Sequence, residues 1–173
     1  MADRELTGVL LVGGASTRFG SPKALALIDG ETLAERAWRL LGDACDERIA
    51  VGTALVPFPT IDDARPDAGP LGGIVAGLRA ARHDVAVVIP VDMPLLTVAA
   101  LHALAEACGD AAVGQNGPLP AAYAKSALPV LEDALARGEL RLRDALARLD
   151  TTSVTLDTNV LVNVNRPDDL RRL

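Results

Sequence analysis

Aromatic side chains are almost absent from this chain, and their scarcity limits what its core can be. Only 2% of the residues are Phe, Trp or Tyr, although 50% of the 173 residues are hydrophobic. The core must therefore be aliphatic, and short runs of Val, Leu, Ile and Ala are typical of parallel strands covered by helices on both faces. A chain of this length buries roughly 70% of its unfolded surface. We therefore expect one domain over residues 1–173.

Cysteine and histidine are also scarce. The chain has two of each, and neither Cys45 nor Cys108 has a spacing that is typical of metal ligands. A structural zinc site is therefore not expected. No Ser/His/Asp or Cys/His arrangement is evident either, which argues against covalent hydrolytic catalysis.

Positive charge is in deficit: 17 Lys and Arg residues against 23 Asp and Glu residues give a net charge of −6. This balance argues against a nucleic-acid partner, because nucleic-acid-binding proteins are usually basic. An acidic chain that binds a polyanion must gather its few cations in one place or recruit a divalent metal. The sequence has no apolar signal region and no apolar run of membrane-spanning length, so we expect a cytoplasmic protein without a membrane partner.

What the chain does have is an alternation of strand and helix patterns. Apolar runs predict strands at residues 6–12, 48–51, 58–61, 85–90, 111–114, 119–124, 153–156 and 160–164. Helical periodicity and capping residues predict helices at residues 32–41, 71–82, 97–108, 127–136 and 140–149, and from Pro167 onward. This alternation predicts an α/β fold, a three-layer sandwich with a mainly parallel central sheet flanked by helices. Ligands of such sheets bind at the carboxyl ends of the strands.

The first predicted strand runs directly into a glycine-rich turn. Gly13 and Gly14 lack a Cβ, so the backbone there can approach a phosphate closely, and successive N–H groups can form an anion-binding nest. Arg18 and Lys23 then add two positive charges. The spacing fits neither a P-loop nor a dinucleotide fingerprint. A hairpin turn is the alternative, but Pro22 and the two spaced cations add nothing to a hairpin.

Asp92 comes two residues after the uncharged strand predicted at 85–90. A carboxylate at the mouth of an apolar strand is costly unless a positive group meets it. In polyphosphate sites the usual partner is Mg²⁺, held by one or two carboxylates and by phosphate oxygens. We therefore expect Mg²⁺ on Asp92. The alternative is an aspartate that caps or turns the chain before the helix at Thr97.

Two more polar segments follow predicted strands. Asp63 precedes a helix start rich in Gly and Pro, where it could accept hydrogen bonds from a ribose or a base. Asn163 and Asn165 alternate along an extended segment, so both amides project to one side, and Asn can ligate a metal or bind a phosphate. Ordinary turns and helix capping are the alternative interpretations of these segments.

Together these segments resemble the molybdenum cofactor guanylyltransferase family along nearly the whole chain. The matching motifs are Leu11-Val12-Gly13-Gly14-x-Ser16-x-Arg18-Phe19-Gly20-x-x-Lys23, Gly69-Pro70-Leu71-x-Gly73, Pro90-x-Asp92-x-Pro94 and Asn163-x-Asn165-x-Pro167. The first motif is shared with a wider nucleotidyltransferase superfamily of Rossmann-like fold, and the other three narrow the choice. Residues 118–123 and 138–141 also resemble later segments of the family.

The resemblance implies an activity and a nucleotide site. GMP would pass from GTP to the molybdopterin-bound molybdenum cofactor, with release of pyrophosphate and formation of the guanine dinucleotide cofactor. The backbone of Leu11, Val12 and Gly13 would hold the guanosine, the Gly14 turn would lie against the phosphates, and Lys23 would grip the triphosphate.

The resemblance also implies a metal site and an acceptor site. Asp63 would bind the nucleotide, and Asp92 would bind both the nucleotide and Mg²⁺. Asn165 would be a further metal or phosphate ligand, by analogy with sugar nucleotidyltransferases. Asn163 and the later segments, which include Tyr123, would face the pterin.

The chemistry of the residues agrees with this reaction, because nucleotidyl transfer depends on positioning and charge neutralisation. The acceptor phosphate would attack the α-phosphorus in line with the departing pyrophosphate. Mg²⁺ on Asp92 would draw the phosphates together, while Arg18 and Lys23 would neutralise charge on the leaving group. A phosphate nucleophile is already anionic near neutral pH, so no general base is needed.

The sequence departs from the family's pattern at Gly52-Thr53, where many members have an Asn that contacts the nucleotide. Three hypotheses therefore stay open: a guanylyltransferase, a cytidylyltransferase of the same cofactor or a transferase for another small phosphate, and a nucleotide-binding regulatory module. Transient contact with proteins that deliver or receive the cofactor is a further expectation.

Overall fold

Strands and helices alternate along the chain, and their bounds follow from a computed structural model that describes residues 5–13, 22–53 and 55–171. The strands are β1 (Leu6–Leu11), β2 (Leu27–Ile28), β3 (Glu31–Thr32), β4 (Glu47–Val51), β5 (Thr60–Ile61), β6 (Val85–Pro90), β7 (Ala111–Gly114), β8 (Ala121–Ala124) and β9 (Thr151–Val154). The α-helices are α1 (Leu33–Ala44), α2 (Pro70–Ala80), α3 (Val98–Glu106), α4 (Leu128–Arg137), α5 (Leu142–Leu146) and α6 (Pro167–Leu170). Short 3₁₀ helices cover Lys23–Leu25, Lys125–Ala127 and Thr158–Val160.

A seven-stranded sheet with the order β5-β4-β1-β6-β8-β7-β9 organises the molecule. Strand β8 is antiparallel to β6 and to β7, whereas the other neighbouring strands are parallel. The carboxyl ends of β1, β4, β6 and β7 therefore lie at one edge of the sheet, which we call the carboxyl edge. The prediction of a mainly parallel central sheet is confirmed.

Helices cover both faces of this sheet. Helices α1 and α3 pack on one face, where Leu10 is buried, and α2, α4 and α5 pack on the other, where Val9 is buried. Neighbouring residues of β1 thus enter opposite cores, as the alternation of a strand requires. The predicted three-layer sandwich is confirmed. No helix in the described part of the chain is long and apolar enough to cross a membrane.

Local capping signals explain where two helices begin. Thr32 Oγ1 accepts a hydrogen bond from the Glu35 N–H at 3.1 Å, and Thr32 N–H donates to Glu35 Oε2 at 3.0 Å. This reciprocal capping box begins α1. The hydroxyl of Thr97 accepts from the Ala100 N–H at 3.2 Å and begins α3, as the sequence predicts.

The strand predicted at residues 160–164 is wrong. The structure has the 3₁₀ helix Thr158–Val160 at its start and no strand after it in the described residues. Asp157 accounts for the difference, because its side chain accepts a hydrogen bond from the Asn159 N–H at 2.9 Å and turns the chain. Val164 is nevertheless fully buried, so the apolar pattern reflects packing in an irregular segment.

Two other predicted elements are shorter than expected. The strand predicted at 58–61 keeps only Thr60–Ile61, because Pro57 and Pro59 have no N–H to donate to a sheet. Phe58 instead stacks on Trp38 with the ring centroids 4.3 Å apart. The helix predicted at 140–149 is reduced to α5. The ribbon of β2 and β3 was not predicted, since strands of two residues carry no periodicity.

Candidate active site

The candidate site begins where β1 and β6 end side by side at the carboxyl edge. The Val91 N–H donates a hydrogen bond to the Leu11 carbonyl at 3.3 Å, just beyond the last residue of β6. Asp92 therefore lies next to the start of the glycine-rich turn at Gly13. Gly14 and Arg18, which the sequence also predicts for this site, lie outside the described residues.

Lys23 meets Asp92 at this edge. Its Nζ lies 3.2 Å from Asp92 Oδ2 and 3.4 Å from Asn165 Oδ1. The Lys23 and Asp92 side chains are only 17% and 24% exposed. An ammonium group thus lies between a carboxylate and an amide oxygen that come from segments far apart in the sequence, and the predicted convergence of these three residues is found.

Main-chain contacts hold Asn165 in this position. The Val164 N–H donates to the Asp92 carbonyl at 2.8 Å. Asp169 Oδ2, in α6, accepts from the N–H groups of Asn165 and Arg166, each at 2.9 Å. Asn163 is exposed, and among the described residues its side chain makes no hydrogen bond to Lys23 or Asp92.

Asp63 lies on the other side of the same edge, against the first turn of α2. Its Oδ1 accepts a hydrogen bond from the Arg65 N–H at 2.9 Å. A Cβ on Gly72 would overlap Asp63 Oδ1, and a Cβ on Gly73 would lie 2.8 Å from Leu11 Cδ2. The two glycines therefore allow the carboxylate to lie on the helix start and the helix to approach β1.

The oxygen atoms around Lys23 are suited to a magnesium ion. Within the described ranges no group of three or more Asp, Glu, His and Cys side chains converges. Asp92 and Asn165 provide one carboxylate and one amide carbonyl, both hard oxygen donors. Mg²⁺ is usually bound by one or two carboxylates while substrate phosphates and waters complete its shell, so this donor set fits the ion.

Tyr123 does not join the site. Its side chain is fully buried in β8, on the sheet face covered by α2, α4 and α5. Its hydroxyl has no hydrogen-bond partner among the described residues, and burial raises the pKa of the phenol far above its usual range. A fully buried ring cannot touch a substrate, so the structure does not support the predicted contact of Tyr123 with the acceptor.

A cavity of about 350 Å³ lies at the end of the sheet formed by β7 and β9. Gly114 and Pro118 line it from the end of β7, Ser153 lines it from β9, and Arg143 and Leu146 line it from α5. One strand, β8, lies between β6 and β7, so the axes of β6 and β7 are about 10 Å apart. The sequence did not single out Arg143, which comes two residues after the motif at 138–141.

The fold and this site define an α/β nucleotidyltransferase: a mainly parallel sheet whose carboxyl edge brings together Gly13, a lysine and a carboxylate. A family model described as a MobA-like NTP transferase domain matches residues 8–152. The chain belongs to the MobA-like NTP transferase family.

Curated relatives agree with this assignment. A probable molybdenum cofactor guanylyltransferase from Chloroflexus aggregans is 35% identical, and the match covers 96% of this chain and 92% of the relative. A second protein of that name, from Deinococcus radiodurans, is 38% identical, with 97% and 93% covered.

Solved structures give the same fold. Molybdopterin-guanine dinucleotide biosynthesis protein A from Archaeoglobus fulgidus is similar with a TM-score of 0.82 and 27% identity, over 96% of this chain and 95% of that one. A 2-C-methyl-D-erythritol 4-phosphate cytidylyltransferase from Thermus thermophilus has a TM-score of 0.71 at 17% identity, over 95% of each chain. The second likeness concerns the fold alone.

The buried hydroxyl of Tyr123 leads to the first prediction. Replacing Tyr123 with Phe removes a polar atom that has no partner, so the free energy of unfolding should rise by about 1 kcal/mol. Nucleotide turnover should not change. Urea unfolding and a turnover assay measure the two effects. A large fall in turnover at unchanged stability would contradict the buried position and restore the substrate contact.

Proposed function

We propose that this chain transfers GMP from GTP to the molybdopterin-bound molybdenum cofactor, producing the guanine dinucleotide cofactor and pyrophosphate. The names of the relatives support this reaction. The observation that carries the proposal is the convergence of Lys23, Asp92 and Asn165 beside the Gly13 turn. With a divalent ion on its two oxygen donors, such a cluster would suit a polyphosphate better than a neutral metabolite.

The nucleotide would lie along the carboxyl edge. The main chain of Leu11, Val12 and Gly13 would hold the nucleoside, and Asp63 would contact it from the α2 side. Lys23 would bind the triphosphate, since a charge-assisted contact to phosphate is stronger than a neutral one. Arg18 stays a predicted partner of the leaving pyrophosphate.

Charge balance explains why a metal ion belongs in this proposal. The ammonium of Lys23 now neutralises Asp92. It cannot at the same time neutralise a carboxylate and a triphosphate that carries several negative charges. We infer that Asp92 and Asn165 hold Mg²⁺ when the nucleotide is bound. The ion would supply electrostatic neutralisation of the phosphates there.

The transfer itself needs no base from the protein. An oxygen of the acceptor's terminal phosphate forms a bond to the α-phosphorus of GTP as the bond to the bridging α–β oxygen breaks, and pyrophosphate leaves with that electron pair. The chain's residues orient the two phosphates and neutralise the growing charge on the leaving group. Lys23 would do so from the carboxyl edge.

The cavity over β7 and β9 is our choice for the acceptor. Pro118, which lines it, belongs to a segment whose family likeness implies contact with the pterin. Apolar walls at Val113 and Leu146 suit a flat heterocycle, and Arg143 brings positive charge to an anionic ligand. A cytoplasmic location and transient contact with proteins that deliver or receive the cofactor stay predictions.

Nucleotide selectivity tests the proposed function directly. Pyrophosphate release should be fastest with GTP when the chain is mixed with molybdopterin-bound cofactor, Mg²⁺ and either GTP, CTP, ATP or UTP. A preference for CTP would replace this proposal with the cytidylyltransferase. Tight nucleotide binding without any pyrophosphate release would indicate a regulatory module instead.

The Lys23–Asp92 pair gives the next prediction. Asp92→Asn keeps the shape but removes the charge, and it should lower kcat by about 100-fold because charge on the transferring phosphates is no longer stabilised. Lys23→Gln should raise the KM for GTP about tenfold, since one charge-assisted phosphate contact is lost. Steady-state kinetics measure both.

Stability and a control variant distinguish this effect from misfolding. Loss of a pair that is still partly open to water should change the free energy of unfolding by no more than about 1 kcal/mol. Asp43→Asn, at an exposed position of α1, should behave like the parent protein. Full turnover of Asp92→Asn at ordinary Mg²⁺ concentrations would exclude the assigned role of Asp92.

The acceptor cavity generates a separate prediction. Arg143→Gln should raise the KM for the molybdopterin acceptor about tenfold, because a charged contact to an anion is lost, and it should leave the KM for GTP unchanged. Arg79→Gln is the matched control, since Arg79 lies at the last turn of α2 and pairs with Glu132. Equal acceptor KM values for the two variants would remove the acceptor from this cavity.

A further inference from the structure

Gly52, directly after β4, makes an unusually close contact with the turn at the end of β1. A Cβ built on Gly52 would lie 2.5 Å from the Gly13 nitrogen, 2.8 Å from the Gly13 Cα and 3.1 Å from the Val12 carbonyl carbon. The first two distances are shorter than real Cβ atoms show, and the third is tighter than most real Cβ contacts. The φ angle of Gly52 is +132°, in the region that favours glycine.

The strands on either side prevent the two segments from moving apart. The Val12 N–H donates to the Val51 carbonyl at 2.9 Å, and the Gly52 N–H donates to the Ile61 carbonyl at 3.0 Å. These two hydrogen bonds hold the end of β4 between β1 and β5, next to the contact of Gly52 with Gly13. A side chain at position 52 would therefore have to displace Gly13.

Positive φ alone does not explain the residue type. Three other described glycines with positive φ, Gly30, Gly69 and Gly138, have nothing within 4 Å of a built Cβ. Gly52 combines the backbone conformation with a steric requirement, and the atoms it would strike belong to the segment assigned to the nucleoside. Gly52 therefore differs from a glycine that only allows a turn, because its contact with Gly13 also affects the geometry of the site.

We propose that Gly52 is a positioning residue for nucleotide binding: its missing side chain sets where the Gly13 main chain lies. The inference rests on the proposed function in so far as Leu11, Val12 and Gly13 hold the nucleoside. Since position 52 has no side chain, this residue can offer a nucleotide only main-chain groups. The nucleotide site thus depends on close approach of two backbones.

Gly52→Ala tests the inference, with Gly30→Ala as the matched control. Both variants place a Cβ at a positive φ, but only the first one strikes another segment. Gly52→Ala should raise the Kd and the KM for GTP about tenfold with little change in kcat, because the bound nucleoside is misplaced. Gly30→Ala should stay within about twofold of the parent protein. Calorimetric titration and kinetics measure these ratios.

Two further measurements keep the outcomes distinct. The amide resonance of Gly13 in the nucleotide-free protein should shift in Gly52→Ala and stay in place in Gly30→Ala. If Gly52→Ala does not fold, Gly13→Ala fills the same contact from the other side, where its Cβ would lie 3.4 Å from the Gly52 Cα, at the short end of van der Waals contact. It should weaken GTP binding by about threefold.

The result that overturns the inference is GTP binding by Gly52→Ala equal to that of Gly30→Ala. Where Gly52→Ala does not fold, parental affinity in Gly13→Ala overturns it. A preference for another nucleotide would refute the guanylyltransferase but not this inference. The same ratio between the two glycine variants is then expected with the preferred nucleotide.

Discussion

The arrangement of the candidate site depends on one ionic contact, the ammonium of Lys23 between Asp92 and Asn165. It joins the segment after the glycine turn, the exit of β6 and the segment before α6, which are separated by as many as 142 residues in sequence. Asp92 ends an apolar strand and is mostly buried, so it needs a positive partner. The pair contributes little to stability at this exposure, and its importance is that it brings the three polar side chains of the candidate site together.

The negative net charge of the chain makes the pairing of Lys23 with Asp92 important for the binding of an anion. An acidic protein that binds a polyanion has few cations to offer, and one of those it places at the carboxyl edge is already matched with a carboxylate. Entry of a triphosphate must redistribute these charges, since one ammonium cannot serve both anions. In the proposed function a divalent ion on the same oxygens would resolve the conflict, which would link the composition of the chain to the proposed metal requirement.

The sequence predicted the sheet better than the contacts across it. The run 85–90 was predicted with the bounds of β6 because it is uncharged and short, and a parallel sheet places its exit at the ligand edge. Strand alternation shows that Tyr123 faces a core but not which side chains cover it, so its burial was missed. The apolar pattern at 160–164 did not reveal the turn that precedes it. That turn is formed by a hydrogen bond to the Asp157 side chain, which a pattern of apolar residues does not show.

The sequence alone does not show which glycines lie against another segment and which lie in open turns. Gly30 and Gly52 both adopt positive φ, yet only the second one touches another segment. Gly72 and Gly73 are helical, and they matter because Asp63 and Leu11 occupy the space that a Cβ would take. At Gly52, Gly72 and Gly73 the missing side chain leaves space for a neighbouring residue, and that neighbour comes from a different segment of the chain. At Gly52 that neighbour is Gly13, whose main-chain atoms lie where a side chain would otherwise stand.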